Sequence, residues 1–291
     1  MLLAPLIQGV INRTKAIIAG RIGQPLLQTY HDLWKLMRKG AVYSHTTTWI
    51  FRAGPVVGLA AMIGALALLP FGAYPAFAPF TGDLIMVAYL LALARFFTVL
   101  AALDTGSSFE AMGASREVTF SALAEPALFL GLAALARQTG SLSLTSVLSA
   151  ISTHIWMQAF PALGLTVAAF GVVFLVENAR IPVDDPTTHL ELTMIHEVMV
   201  LDHSGPDFAM IQYAAALKMW LLGTVIVAIA VPWHSGNRLL DGCLAVSGML
   251  VLAIVTGIIE SSMARLRLLR VTQLLIAAIV LSGLALTLVQ K

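Results

Sequence analysis

Apolar residues fall in long windows separated by short polar breaks, and seven windows approach the roughly 20 residues that cross a bilayer as a helix. The pattern predicts spans at residues 53–74, 82–103, 118–136, 157–176, 209–231, 243–259 and 271–289. Pro70, Pro75 and Pro79 mark a short turn after the first span. Residues 141–156 are less apolar and read as a half-inserted helix outside the membrane. Within residues 21–39, a Gly-Gln-Pro turn precedes Leu26, Leu27, Tyr30, Leu33, Trp34 and Met37 at helical spacing, with charge on the other side. That is an amphipathic helix lying on the membrane surface. Residues 2–18 read as the end of a truncated first span followed by an interfacial helix. The expected architecture is an all-α polytopic membrane protein. A basic N-terminal segment, 1–52, precedes a transmembrane domain, 53–291, with cytoplasmic loops at 104–117, 177–208 and 260–270.

Composition agrees with the pattern. The 291 residues are 59% hydrophobic and 11% charged, where a soluble domain carries about 25% charged residues. The lipid bilayer is therefore the expected surrounding, and no basic nucleic-acid surface is indicated. Cys243, the single cysteine, lies in an apolar run, which excludes a disulfide framework or a cysteine-ligated cluster within this chain. Carriers of electrons, if any, belong to partners. No cleavable signal peptide is evident, since the apolar start from Leu2 to Ile11 is too short to span. No internal repeat stands out.

Charge orients the spans. Seven bases in the first 52 residues, with Arg116, Arg180, Arg265, Arg267 and Arg270, fall on one side, and Arg137, Arg238 and Lys291 on the other. The first side is expected in the cytoplasm. It carries two purposeful segments. Residues 104–117 combine small residues with Asp104, Glu110, Arg116 and Glu117. Residues 177–207 hold seven of the 15 acids of the chain: Glu177, Asp184, Asp185, Glu191, Glu197, Asp202 and Asp207. They also hold Arg180, His189, His196 and His203. Within the spans, Arg95, Glu125 and Lys218 are lone charges in apolar sequence, and such residues face a neighbour or a water-filled cavity. Pro126, following Glu125, frees backbone groups of the kind that line one. Glu125 and Glu177 then begin a line of acids from the charged face inward, and closely spaced carboxylates titrate nearer neutrality and can relay protons. The bland alternative is static neutralisation, for example of Glu125 by Lys218.

The three histidines are seven residues apart, one face of any helix that ran so far. Ligands at that spacing stand about 10 Å apart, so docking or hydrogen bonding is expected rather than metal binding. His196-Glu197 lacks the second histidine of a zinc-protease motif. There is no serine–histidine–acid triad, phosphate loop or flavin fingerprint, so no catalytic residue is assigned and the chain alone is not expected to be an enzyme.

Glu177-Asn-Ala-Arg180-Ile-Pro182-Val-Asp184 resembles the cytoplasmic signature of respiratory complex I subunit 1. Arg21-Ile-Gly23-Gln-Pro25, with Leu27-Gln28 and Asp32-Leu-Trp-Lys35, resembles the family's Arg-x-Gly-Pro segment and the helix after it. Asp104-Thr-Gly-Ser-Ser-Phe-Glu110, Gly113-Ala-Ser-Arg116-Glu117 and Glu125-Pro126 are closer to one branch, the membrane subunit of energy-converting nickel–iron hydrogenases, including formate hydrogenlyase subunit 4. Glu260-Ser-Ser-Met-Ala-Arg265-Leu-Arg267 resembles that branch's last cytoplasmic loop. The resemblance covers almost the whole chain.

What the resemblance implies is a multi-pass subunit of the bacterial or archaeal cytoplasmic membrane, joining a soluble redox arm to proton or sodium movement. The implied partners are hydrogenase large and small subunits, an iron–sulfur protein and antiporter-like membrane subunits. The implied nickel–iron centre and iron–sulfur clusters sit in those partners, with no cofactor here. By this resemblance Glu177, Arg180, Asp184 and Glu191 match the signature, and together with the charges read above Glu125, Glu177, Asp184, Asp185, Glu191, Glu197 and Lys218 are expected to serve the proton path or coupling. Arg21, Asp104, Glu110, Arg116, Glu117, Arg180 and His189 serve the interface or cavity. Val183 replaces the usual phenylalanine, and Thr187 and His189 stand where quinone-reducing members have glutamates. These departures weigh against the alternative of a quinone-binding subunit of a complex I-like dehydrogenase. A stand-alone ion transporter is disfavoured by the large acidic face, since transporters gather their site at mid-membrane between repeats. The family has eight spans, and the start of this sequence falls short by most of one.

Overall fold

The computed structural model describes residues 1–184, 194–233 and 235–289. Those residues form eleven α-helices and a single 3₁₀ turn, with no strand among them. In order they are α1 (Ala4–Ile18), α2 (Gln28–Met37), α3 (Trp49–Ala67), α4 (Asp83–Asp104), α5 (Ser108–Thr139), α6 (Leu144–Ala150), α7 (Thr153–Gln158), α8 (Phe160–Glu177), α9 (Gly205–Ala230), α10 (Arg238–Ser262) and α11 (Leu268–Leu288). Seven of them, α3, α4, α5, α8, α9, α10 and α11, are long and apolar enough to cross a membrane. They coincide with the seven expected spans apart from their ends.

The spans alternate in direction between two faces. At one face, Asp104 at the end of α4 accepts hydrogen bonds from the Thr48 amide and hydroxyl, 2.7 and 2.9 Å, and so caps α3. At the same face the Leu266 amide, in the α10–α11 link, donates to the Pro182 carbonyl beyond α8 at 2.8 Å. At the opposite face Asp83, at the start of α4, accepts from the Leu144 amide and the Ser143 hydroxyl and anchors α6. Trp156 donates its indole N–H to the Ile229 carbonyl at the end of α9, 2.5 Å away.

Helix α9 is the centre of the bundle. Two-thirds of its most apolar window is buried, 67%, against 22% to 50% for the other spans. Leu217, Leu221 and Ile229 of α9 are enclosed with Ile11, Met62, Leu135, Leu163 and Met249. Small residues let the other helices approach closely, the usual solution where lipid removes the hydrophobic drive between helices. A Cβ on Gly131 of α5 would lie 2.3 Å from the Phe170 ring of α8, and one on Gly257 of α10 would lie 2.8 Å from Thr14 of α1.

Three expectations need correction. The predicted loop at 104–117 is helical from Ser108, so α5 begins ten residues before the predicted span at 118. Its small residues Gly113 and Ala114 face protein and are buried there. The predicted loop at 260–270 is shorter, because α10 runs to Ser262 and α11 starts at Leu268. The predicted half-inserted helix at 141–156 is two short helices broken at Ile151 and Ser152, where Ser152 caps α7 through the Ile155 amide. Residues 4–18 form α1, which packs against α10 and α9, and the amphipathic segment yields α2 with no fully buried residue.

Candidate functional site

Four helices bring their lone charges to one place. Arg95, from the middle of α4, extends between α5 and α8. Its two terminal nitrogens donate to Glu125 and Glu177, and its Nε lies 3.4 Å from Glu117. Lys218 of α9 approaches the second oxygen of Glu177 at 3.7 Å. The second oxygen of Glu117 meets His196 Nδ1 at 3.3 Å. One planar guanidinium with several fixed donors can bridge three carboxylates, which a lysine ammonium, a compact point charge, does poorly. Glu125 follows this logic at a helix irregularity: Pro126 cannot bond the Ala122 carbonyl, which loosens α5 beside the carboxylate. The Glu125 side chain is 42% exposed, whereas Glu117 and Glu177 are buried.

A second charged group faces the first. Glu260 of α10 is fully buried between Lys15 of α1, at 2.8 Å, and Arg180, at 3.5 Å. Arg180 follows α8 in a tight closure. Its amide donates to the Leu175 carbonyl at 2.9 Å and the Ala179 amide to the Val176 carbonyl at 3.1 Å. That is a Schellman cap, and its left-handed position is filled by Ala179 at φ 49° rather than by glycine. Burial pushes the Arg180 guanidinium down, and the attraction of Glu260 and Glu197 opposes it.

Between the two groups lies a cavity of about 210 Å³. Arg95, Glu117, Glu177, Lys218 and His196 of the first group line it, as do Arg180 and Glu197. Gly54, Gly58, Met62 and Phe208 supply apolar wall. The arrangement places titratable groups from the loop beyond α8 to the middle of the bundle within ion-pair reach of one another, which is what passing a proton requires.

The expected residues sort as follows. Glu125, Glu177 and Lys218 meet, but Lys218 pairs with Glu177 and not, as the static alternative had it, with Glu125. Glu117, Arg180 and Glu197 line the cavity. Asp184 does not: its Oδ1 holds Arg265 at 3.0 Å, and its Oδ2 accepts the amides of Ile195 and His196 at 2.9 and 3.2 Å. Asp104 is a helix cap. Glu110 is buried and accepts the Asp202 amide at 3.1 Å. Arg116 donates to the Met194 carbonyl at 2.9 Å, and Arg21 is exposed away from the cavity. None of these four is among the residues lining the cavity. Asp185, His189 and Glu191 lie outside the described residues. His196 and His203 share no helical face, since only a single 3₁₀ turn, Glu197–Val200, lies between them. His203 stacks on Phe51 with centroids 3.9 Å apart.

Arg95, His196, Lys15 and Glu260 were absent from the sequence-based site. Arg95 was visible as a lone charge in a span. Glu260 and Lys15 sit at helix ends, where charge is ordinary; Glu260 opens the motif of the last loop, but nothing in the sequence marked either residue as buried.

The chain matches the NADH dehydrogenase family over residues 1–290. It is 33% identical to formate hydrogenlyase subunit 4 of Escherichia coli (strain K12) over 271 residues, covering 91% of this chain and 87% of that protein. It is 31% identical over 277 residues to hydrogenase-4 component C of the same organism, covering 92% and 86%. Its fold matches a chain of the membrane-bound sulfane sulfur reductase, an archaeal respiratory membrane complex, with a TM-score of 0.85 at 20% identity over 99% of this chain and 95% of the other.

Proposed function

This chain belongs to the NADH dehydrogenase family, and from that premise we propose that it is the membrane-anchoring, ion-coupling subunit of an energy-converting hydrogenase or formate hydrogenlyase-type complex. It is a multi-pass membrane protein, and its relatives are membrane subunits of redox complexes. In the proposed assembly, nickel–iron and iron–sulfur subunits dock on the charged face and antiporter-like subunits lie beside it in the membrane. That face is cytoplasmic, in keeping with its excess of arginine and lysine.

One observation carries the coupling role: Arg95 joins Glu117, Glu125 and Glu177 across three helices beside Lys218, on the wall of a cavity that also takes in the loop residues Arg180 and Glu197. Ionisable groups are costly inside a membrane and mark ion paths. A redox event at the charged face can shift their proton occupancy, and a shared guanidinium passes that change between carboxylates.

A quinone-binding role finds support in the apolar wall of Gly54, Gly58, Met62 and Phe208. Its volume weighs against it, because 210 Å³ is below the roughly 300–1,000 Å³ of small-molecule sites. The deciding experiment purifies the complex gently through a tag on this chain and assays nickel, hydrogen evolution and ion uptake into vesicles. Nickel with hydrogen activity and coupled ion movement supports the proposal. Quinone-dependent oxidation of a donor without nickel overturns it in favour of the second role.

A further inference from the structure

We propose that His196 is where a proton passes from the cavity into the buried cluster, and that its imidazolium form completes the charge balance of that cluster. The inference rests on the ion-coupling role above and adds a residue and a direction to it.

The balance comes first. Arg95 and Lys218 supply two cations, and Glu117, Glu125 and Glu177 supply three carboxylates. Glu117 and Glu177 are buried, where an unmatched negative charge is expensive, so the cluster favours holding a proton in its resting state. Among the described residues the Arg180 side of the cavity adds no cation to spare, because Lys15 and Arg180 both pair with Glu260 and Arg180 is also drawn to Glu197. His196 is the titratable base in contact with the cluster, and histidine changes charge in the physiological range.

The geometry gives the direction. Glu117 is divided between two partners, one oxygen facing Arg95 Nε and the other His196 Nδ1. The His196 side chain is 29% exposed and lines the cavity, while that of Glu117 is 11% exposed. A proton taken up at Nε2 makes the imidazolium. Its Nδ1 proton then moves to Glu117, leaving a neutral ring protonated at Nε2 and a neutral carboxyl. One proton enters and one is handed on. With Glu117 neutral, Arg95 is left to Glu125 and Glu177, so occupancy at the cavity wall is felt at the membrane centre.

The ring is aimed by its own backbone. Asp184 accepts the Ile195 and His196 amides and is itself held by Arg265, while Arg116 of α5 holds the Met194 carbonyl. Glu117 and Arg116 from α5, Arg95 from α4, Lys218 from α9, and Asp184, Arg180 and Glu197 from the loops are the charged groups around this turn. Asp184 is therefore a positioning residue for the transfer.

The test uses the whole complex in sealed vesicles, measuring protons moved per electron pair across pH for wild type, His196→Gln and His196→Ala, the last with and without added imidazole. Co-purification of the partner subunits reports assembly. The expected result is a fall of about tenfold or more in the ratio for both variants, with a flattened pH profile, and recovery of His196→Ala by imidazole. An unchanged ratio in His196→Gln, or a loss that imidazole does not restore in an assembled complex, overturns the proposal. If wild-type vesicles move no protons, the coupling role fails, and the histidine is judged by nitrogen-15 NMR of histidine-labelled complex. An imidazolium signal that vanishes in His196→Gln and shifts in Glu117→Gln supports the charge balance, and its absence overturns it.

Discussion

Lys15 of α1 and Arg180 beyond α8 grip the same carboxylate, Glu260, at 2.8 and 3.5 Å. The Glu260 side chain is fully buried and Arg180 nearly so, whereas Lys15 keeps 24% exposure. Removing one member of a buried ion pair costs about 3–5 kcal/mol, because the other is left uncompensated. Glu260→Gln is expected to destabilise the assembled complex by that order and Lys15→Ala by less, since Lys15 can reach water. Thermal aggregation midpoints of the purified complexes check the ranking. Equal midpoints for Glu260→Gln and wild type would refute it.

Arg95 joins carboxylates from two helices, so its loss leaves three acids facing only Lys218 and His196. Arg95→Ala is expected to lower complex yield, and Arg95→Lys to restore yield but move ions at least about tenfold less, because an ammonium cannot hold three carboxylates in fixed directions. Yield and ion uptake, measured side by side, separate the two effects. Full uptake by Arg95→Lys would show that charge alone suffices.

Gly113 of α5 lies against the loop that carries His196. A Cβ there would stand 2.3 Å from Val198 Cγ1 and 3.0 Å from the Ile195 carbonyl. Gly113→Ala is expected to push residues 195–198 off α5, costing about 1–3 kcal/mol as overpacking and weakening the contact between His196 and Glu117. Faster protease cleavage in the loop is the readout, and a wild-type cleavage pattern would argue against it.

His203 brings a pH dependence of its own. It is packed on Phe51, and burial holds its imidazole down to about 4, against the pull of Asp207 and Asp202. The ordinary value is about 6.5, so the unfolded chain binds the proton more readily than the folded one. Stability from this group is therefore complete above about pH 6.5 and is lost as the pH falls towards 4. The loss is at most about 3 kcal/mol, reduced by solvent screening. Melting temperatures from pH 7 to 4.5 should fall less steeply in His203→Gln. Parallel slopes would assign the acid sensitivity to other groups.

The spans were legible because a bilayer demands about 20 apolar residues whatever the neighbours are. The start of α5 was not, since Ser107, Gly113 and Ser115 read as loop chemistry, yet that turn is covered by Val198 and Met199 and the helix continues through it. In the site, Glu125 and Lys218 stood out because lone charges in apolar sequence must find company, and Glu177 because it ends a span and opens the signature. Which charges meet was not written locally: Arg95 is 82 residues from Glu177, and Arg180 is 80 from Glu260. Asp184 carried the signature yet serves the backbone of residues 195 and 196, a role that only the folded turn defines.

The Schellman closure at the end of α8 has a geometric consequence. Glu177, Asn178, the left-handed Ala179 and Arg180 all line the cavity, so the closing turn of α8 is itself a stretch of its wall. The spacing of the Glu177 carboxylate and the Arg180 guanidinium along that stretch is thus set by the dihedral angles of a single turn, and unwinding it would move both charged groups together.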